Sequence, residues 1–449
     1  MSATRVDVVV VGAGPAGAAT AILLAEHGLD VVVLDRGSLP RPKICGEYLS
    51  PEAGRVLDRL GVLKTVDAAG AAAIHGMRIT APDGTAITGH YRDVGPWRPY
   101  RHHAMGVARE TLDGALIERV RALPLDLREH ARVIDLIVER DVVTGVRFTD
   151  RGARVHDLHA RLVVGADGRA SVVAERLRCR RPHTLRRMAL VTYVSGVEQC
   201  RDLGEIFVDP PDYAILNPIA PDRVNLGLAR PHRLRRMALV QDMEGLDGFQ
   251  GRGEIYVDPP DYAILNPIAP DRVNLALVVP LAHASQWSDR LDDFMAARVR
   301  QLPHLARRLA GATRVAPIRA LGPLAHRVEP PTQGGVLLVG DAGGFYDPFT
   351  GEGVFTALRS AELAVTTMVQ ALRSGDVSAR ALAGYERARR EVFSGKERVT
   401  QILQFLIRHR RLANLACRAL ARRPAALDAL LGVFGDYVPP RALPAALRG

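Results

Sequence analysis

Apolar residues in this chain come in short unbroken runs at four places and at helical spacing between and after them. Residues 8–11 (Val-Val-Val-Val) and 31–34 (Val-Val-Val-Leu) are β-branched runs of the kind that form strands buried on both faces. The stretch 18–27 between them is rich in Ala, Ile and Leu and predicts a helix, with Gly28 as its stop. Residues 161–168 (Arg-Leu-Val-Val-Gly-Ala-Asp-Gly) and 336–339 (Val-Leu-Leu-Val) predict two further buried strands. From about residue 354 onward Leu358, Ala361, Leu363 and Ala364 recur at helical spacing. Buried strands alternating with helices predict an α/β fold.

What closes those strands is chemically specific. The first leads into Gly12-Ala13-Gly14-Pro15-Ala16-Gly17, a GxGxxG between a strand and a helix. Gly12 allows the tight turn, Gly14 lets a pyrophosphate approach, and Gly17 lets the helix pack on the strand. The second ends in Asp35-Arg36, an acid where ribose hydroxyls of an adenine nucleotide are held. The third ends in Asp167-Gly168, with Ser171 close behind. The fourth runs into residues 340–353, Gly-Asp-Ala-Gly-Gly-Phe-Tyr-Asp-Pro-Phe-Thr-Gly-Glu-Gly. There Gly340, Gly343 and Gly344 permit close backbone approach, Asp341 is placed to accept from hydroxyls, and Gly351-Glu352-Gly353 opens a helix whose free N–H groups suit anionic atoms.

Together these segments resemble the flavoprotein monooxygenase superfamily with the glutathione-reductase-like FAD fold. Residues 41–51, Arg-Pro-Lys-Ile-Cys-Gly-Glu-Tyr-Leu-Ser-Pro, resemble the Cys-Gly-Glu segment of its geranylgeranyl reductase branch. The resemblance covers most of residues 5–370. It implies a Rossmann FAD-binding domain interleaved with a mostly antiparallel β-sheet substrate domain. Gly12, Gly14, Ala16 and Gly17 would hold the FAD pyrophosphate, and Asp35 with Arg36 the adenosine end. Arg109, ahead of Leu112 and Asp113, would contact the cofactor, as would Asp167. Gly340 and Asp341 would take the ribityl and flavin side, and Gly351 and Gly353 would lie near the isoalloxazine. Cys45 lies on the segment that faces the flavin in that branch; a small packing residue is the other reading. The branch's PxxYxWxFP motif is matched in part by residues 210–218, which keep the Pro, Tyr213 and the final Pro but carry Ile215 and Asn217 in place of Trp and Phe. The tryptophan pair of the flavin halogenases is absent from this segment.

The chain carries a near repeat. Residues 181–226 and 230–275 are tandem copies offset by 49, both containing Asp-Tyr-Ala-Ile-Leu-Asn-Pro-Ile-Ala-Pro-Asp-Arg-Val-Asn-Leu. Copy one begins with a good strand and copy two ends with one, whereas Gln-Asp-Met-Glu at 241–244 makes a poor strand. The expected path therefore joins the head of copy one to the tail of copy two, with surplus chain near 204–252 looped out or at a sheet edge, and with Tyr262 rather than Tyr213 at the cavity. The expected organisation is an FAD-binding domain from 1–75, 101–178 and 315–375, a substrate domain from 76–100 and 180–314, and a helical basic tail over 376–449. A length of 449 residues fits two domains better than one core.

Charge adds one feature. The net charge is +11, and residues 380–449 hold 14 Lys and Arg against 5 Asp and Glu. Apolar residues over 399–420 sit at helical spacing among Arg408, Arg410, Arg411 and Arg418. That suits either a helix on an anionic membrane surface or a solvated arginine-rich face. No aromatic platform accompanies the charge, so nucleic acid is not expected. The four cysteines have no metal-ligand spacing, so no metal is expected, and their scatter fits a reducing cytoplasm. A strand starting within the first ten residues leaves no room for a signal peptide, and no apolar run is long enough to span a bilayer.

The resemblance implies an FAD-dependent oxidoreductase acting on a hydrophobic prenyl, lipid-like or polyketide substrate. The first reading is alkene reduction by reduced flavin, with Cys45, Tyr213 or Tyr262 as the acid. The second is aromatic hydroxylation through a C4a-hydroperoxide. The third is a membrane-associated flavin-binding module without turnover. Both enzymatic readings need NAD(P)H or a reduced carrier, although the chain shows a single nucleotide motif.

Overall fold

The computed structural model describes residues 5–41, 43, 45, 47–182, 187–195, 202–209, 212–220, 223–231, 236–244, 254–258, 261–269, 272–280, 300, 313–314, 326–345, 353–407 and 409–443. Its largest sheet has the order Asp126–Arg128, Val31–Leu34, Val6–Val11, Val155–Gly165, Val142–Thr149, Arg132–Glu139, with Val336–Leu338 also paired to Val155–Gly165. The β-branched runs account for the centre. Val6–Val11 lies parallel between Val31–Leu34 and the second half of Val155–Gly165, with Val8, Val9 and Val10 fully buried. The long strand Val155–Gly165 does two jobs. Its first half pairs antiparallel with Val142–Thr149, and its second half is sandwiched by parallel neighbours.

Helix Pro15–Glu26 covers this sheet and packs against helix Gly353–Ser374 and helix Arg109–Arg121. It starts three residues earlier than the apolar pattern predicts, because Pro15 fits the first helical turn, where no N–H is needed. The helix expected from about 354 runs from Gly353 to Ser374.

A second sheet of six strands has the order Arg187–Ser195, Arg223–Pro231, Asp212–Ala220, Leu203–Asp209, Gly76–Thr80, Ala86–His90. All its members from the repeat belong to copy one. Copy two builds its own five-stranded sheet, Glu254–Asp258, Asp261–Ala269, Arg272–Pro280, Arg236–Glu244, Thr313–Arg314. This corrects two expectations. The polar stretch 241–244 is strand after all, because the antiparallel partners Arg272–Pro280 and Thr313–Arg314 satisfy its backbone. Copy one, not the tail of copy two, is the part joined to Gly76–Thr80 in the six-stranded sheet. Its strand Leu203–Asp209 pairs in parallel with Gly76–Thr80, and the Pro218 carbonyl presses on Gly106 of the small sheet Tyr48–Leu49, Ala104–Gly106, Ala72–Ile74.

The basic region 399–420 is two helices rather than one. Helix Ala379–Ile407 ends, His409 adopts an extended conformation, and helix Arg410–Ala421 follows. The break turns Ala413 inward against Ile206 and Val208 of the six-stranded sheet, and Cys417 against Ile87 of that sheet and Ala81 beside it. Helix Pro424–Phe434 then packs Leu427 and Leu431 on the same sheet at Gly89. Among the described residues no helix is long and apolar enough to cross a membrane.

Candidate cofactor site

Four parallel strands deliver their carboxyl ends to one edge of the main sheet, the position at which open α/β sheets bind ligands. The loops leaving that edge carry Gly12–Gly17, Asp35, Asp167 and Gly340–Asp341. Gly12 has φ +99°, and a Cβ there would lie 2.6 Å from the Ala166 carbonyl oxygen. A Cβ on Gly17 would run into the Gly12 carbonyl oxygen, so both glycines serve close backbone packing. Gly14 is different. A Cβ on it would meet a single neighbour, the Lys43 ammonium 3.1 Å away, so the space beside it is otherwise open. Gly14 also caps helix Pro15–Glu26 without any capping side chain, which leaves the positive helix end facing that space. The two glycine segments abut, since Ala16 stands 2.8 Å from where a Gly340 Cβ would be.

Asp35 is 2% exposed and accepts hydrogen bonds from the Ala13 N–H at 2.9 Å, the Gly37 N–H at 3.0 Å and the Arg41 guanidinium at 2.6 Å. A ribose hydroxyl reaches it only by sharing or displacing Arg41. Arg36 points to solvent. Lys43 stands 3.5 Å from Asp113. Burial lowers its pKa, Asp113 opposes that, and Arg109 and Arg41 add to it.

Arg109 opens helix Arg109–Arg121 and reaches Asp113 one turn on, donating to both carboxylate oxygens at 3.0 Å. It also hydrogen-bonds the Cys45 sulfur. Burial opposes its charge, but Cys45 and Asp113 hold its pKa above the usual value. Glu47 fixes this corner. It is a non-glycine residue at φ +54°, it is 1% exposed, and its carboxylate accepts the Arg109 backbone N–H at 2.9 Å. Its own N–H donates to Cys45 Sγ at 3.4 Å.

Burial raises the pKa of Asp341, against the pull of Arg169, Arg109 and Lys43. Burial also raises that of Asp167, whose Oδ2 accepts the Val172 N–H at 2.7 Å. The other oxygen, Asp167 Oδ1, is buried with no hydrogen-bond partner among the described residues. A buried carboxylate oxygen without a donor is costly, and a hydroxyl-bearing ligand removes the cost. The open cradle at Gly14, the uncapped helix end, the Lys43 ammonium and this acceptor fit a dinucleotide with phosphates and sugar hydroxyls.

The structure thus gathers Gly12, Gly14, Ala16, Gly17, Asp35, Cys45, Arg109, Asp167, Gly340 and Asp341 around one edge, with Gly353 at the head of the adjoining helix. Gly351 lies outside the described residues, as do the side chains of Tyr213 and Tyr262. The backbones of those tyrosines occupy equivalent strands of different sheets. Arg41, Lys43, Glu47 and Arg169 carry no role in the sequence reading. The visible signal was two cations at 41 and 43 after a strand-ending acid.

The FAD binding domain family matches residues 5–210. Digeranylgeranylglycerophospholipid reductase 1 of Methanococcoides burtonii is 26% identical over 401 residues, covering 87% of this chain and 81% of that protein. The 6-methylpretetramide 4-monooxygenase of Streptomyces rimosus is 36% identical over 169 residues, 37% of this chain and 39% of that protein. The solved flavoprotein/dehydrogenase of Cytophaga hutchinsonii superposes with a TM-score of 0.65 at 17% identity, covering 97% of this chain and 93% of that one, which shows the shared fold. The chain is an FAD-dependent oxidoreductase with FAD as its cofactor.

Proposed function

We propose that the chain saturates carbon–carbon double bonds of a prenyl-chain lipid. The observation that carries this reading is the reach of the likeness: the reductase relative aligns across the substrate sheets as well as the FAD domain, and the monooxygenase relative over little more than a third of the chain. Reduced FAD supplies a hydride equivalent to one alkene carbon, and the other carbon needs a proton. Cys45 is the proton donor in this reading. The Arg109 guanidinium lies beside its sulfur, Asp113 keeps that guanidinium in place, and Glu47 accepts the Arg109 backbone N–H and donates its own N–H to the Cys45 sulfur. Electrons come from NAD(P)H or a reduced carrier. The second reading, aromatic hydroxylation, is favoured by the higher local identity to the monooxygenase.

The test starts from protein-bound FAD reduced anaerobically with dithionite. Adding a geranylgeranyl-chain glycerophospholipid should reoxidise the flavin and add one H₂ per double bond to the lipid. No anaerobic reoxidation, together with oxygen-dependent hydroxylation of a polycyclic phenol, would replace the first reading by the second. Cys45→Ser should keep its FAD and slow the lipid-dependent reoxidation by roughly a hundredfold, the scale of general acid catalysis. An unchanged rate would return Cys45 to a packing role.

A further inference from the structure

Helices Ala379–Ile407 and Arg410–Ala421 bury one side against the body and leave the other bare. On the first, Arg398, Ile402 and Phe405 follow one another at helical spacing, and His409 at the bend continues the row; all are exposed, Ile402 at 61% and Phe405 at 56%. On the second, Arg411, Leu415 and Arg418 make a matching row, continued by Arg422 at its end, with Leu415 65% exposed. Within the first row the Phe405 and His409 rings meet at 4.8 Å. Large apolar side chains this exposed, on consecutive turns, are not ordinary surface scatter.

The charge carried by this stretch of chain is of one sign. Residues 398–427 contain seven arginines and no aspartate or glutamate. Arg418 pairs with Asp83 at 2.8 Å, while among the described residues Arg398, Arg411 and Arg422 have no ion-pair partner. The inward side of the second helix, Ala413 and Cys417, rests on the six-stranded sheet. The bare face is therefore the outer back of that sheet.

We propose that this face docks on an anionic lipid bilayer, with Ile402, Phe405 and Leu415 entering the interface and the arginines pairing with headgroup phosphates. Apolar residues between unpaired cations are what an interfacial helix presents. A second copy of the chain is the poorer occupant, because the face would bring its own uncompensated arginines together. Docking there would hold the substrate domain against the membrane. The inference goes beyond the proposed reaction, and its readout is binding, so either can fail without the other.

The full-length, FAD-loaded chain is sedimented with vesicles of phosphatidylcholine plus phosphatidylglycerol and with phosphatidylcholine alone. Binding to the anionic vesicles only, falling steeply between low and physiological salt, is expected. Arg411→Gln with Arg422→Gln should weaken it roughly thirtyfold, at about 1 kcal/mol per cation near the surface. Phe405→Ser with Leu415→Ser should weaken it at least tenfold, and both pairs should leave the melting temperature and FAD content unchanged. Equal binding to both vesicle types, no binding, or full binding by either double variant overturns the proposal. So does a dimer in light scattering that the serine pair dissolves while vesicles stay unbound.

Discussion

Gly14 and Gly17 stand three positions apart, one capping helix Pro15–Glu26 and the other inside it, yet a side chain would meet different obstacles at each. At Gly17 it would strike backbone; at Gly14 it would enter the open space under Lys43. Gly17→Ala should therefore lower the melting temperature of the FAD-free protein, whereas Gly14→Val should leave it near wild type and empty the site. Melting curves and flavin absorbance per protein check both, and full flavin occupancy in Gly14→Val would remove the loop from the pyrophosphate site. Lys43 gives a pH signature. Burial places its pKa in the ligand-free protein below the ordinary 10.5. Phosphates favour its charged form, so FAD binding takes up a proton once the free side chain has lost one. Affinity should be level below that lowered pKa and fall as pH rises through it. Lys43→Gln should bind FAD about ten- to a hundredfold more weakly, the range of a charge-assisted hydrogen bond, and show no such fall. Parallel pH curves for the two proteins in FAD titrations would exclude Lys43.

Among the elements, what the sequence discloses is what local pattern determines. The strands at 8–11 and 31–34 are legible because a β-branched run has few other places to go, and the glycine loop because its neighbours leave no room for a Cβ. The cluster of Arg41, Lys43, Glu47 and Arg109 is hidden because its members meet only through tertiary packing. The break at His409 is hidden because the spacing of apolar residues continues across it. The partner of Gly76–Thr80 is hidden for a sharper reason: two copies offer nearly the same residues. Arg187 opposes Pro231 as Arg236 opposes Pro280, Glu205 opposes Leu216 as Glu254 opposes Leu265, and the irregularity between Pro218 and Ala220 recurs between Pro267 and Ala269. Deleting residues 204–252 should therefore let Asp261–Ala269 and Arg272–Pro280 take the vacated places in the six-stranded sheet, Gly253 and Asn266 standing where Gly204 and Asn217 stood. The shortened chain should be folded and yellow. An insoluble or flavin-free product, beside a yellow full-length protein, would mean that the two sheets depend on each other.

At the scale of the whole molecule, the C-terminal helices are part of the body rather than an appendage. The Tyr385 hydroxyl donates to the Leu338 carbonyl at 2.8 Å, next to the cofactor edge. Lys396, 4% exposed, donates to the Phe434 carbonyl at 3.1 Å and to Asp436 at 2.5 Å. Lys396→Met would take the ammonium away from a buried carboxylate and should cost about 3–5 kcal/mol of unfolding free energy in denaturant titrations, much of it recovered by adding Asp436→Asn. A loss below about 1 kcal/mol would show that the ion pair does not tie these helices down. The twin registers have a consequence for how the molecule reaches this state. Strand Arg187–Ser195 can close on Arg223–Pro231 or, through a loop about two to three times longer, on Arg272–Pro280, and doubling a loop costs only ~0.6 kcal/mol. Chain entropy hardly separates the two closures. The choice falls to the positions where the two return strands differ, such as Gly227 and Ala229 in Arg223–Pro231 against Ala276 and Val278 in Arg272–Pro280, so a handful of side chains arbitrates between two complete ways of threading the same polypeptide.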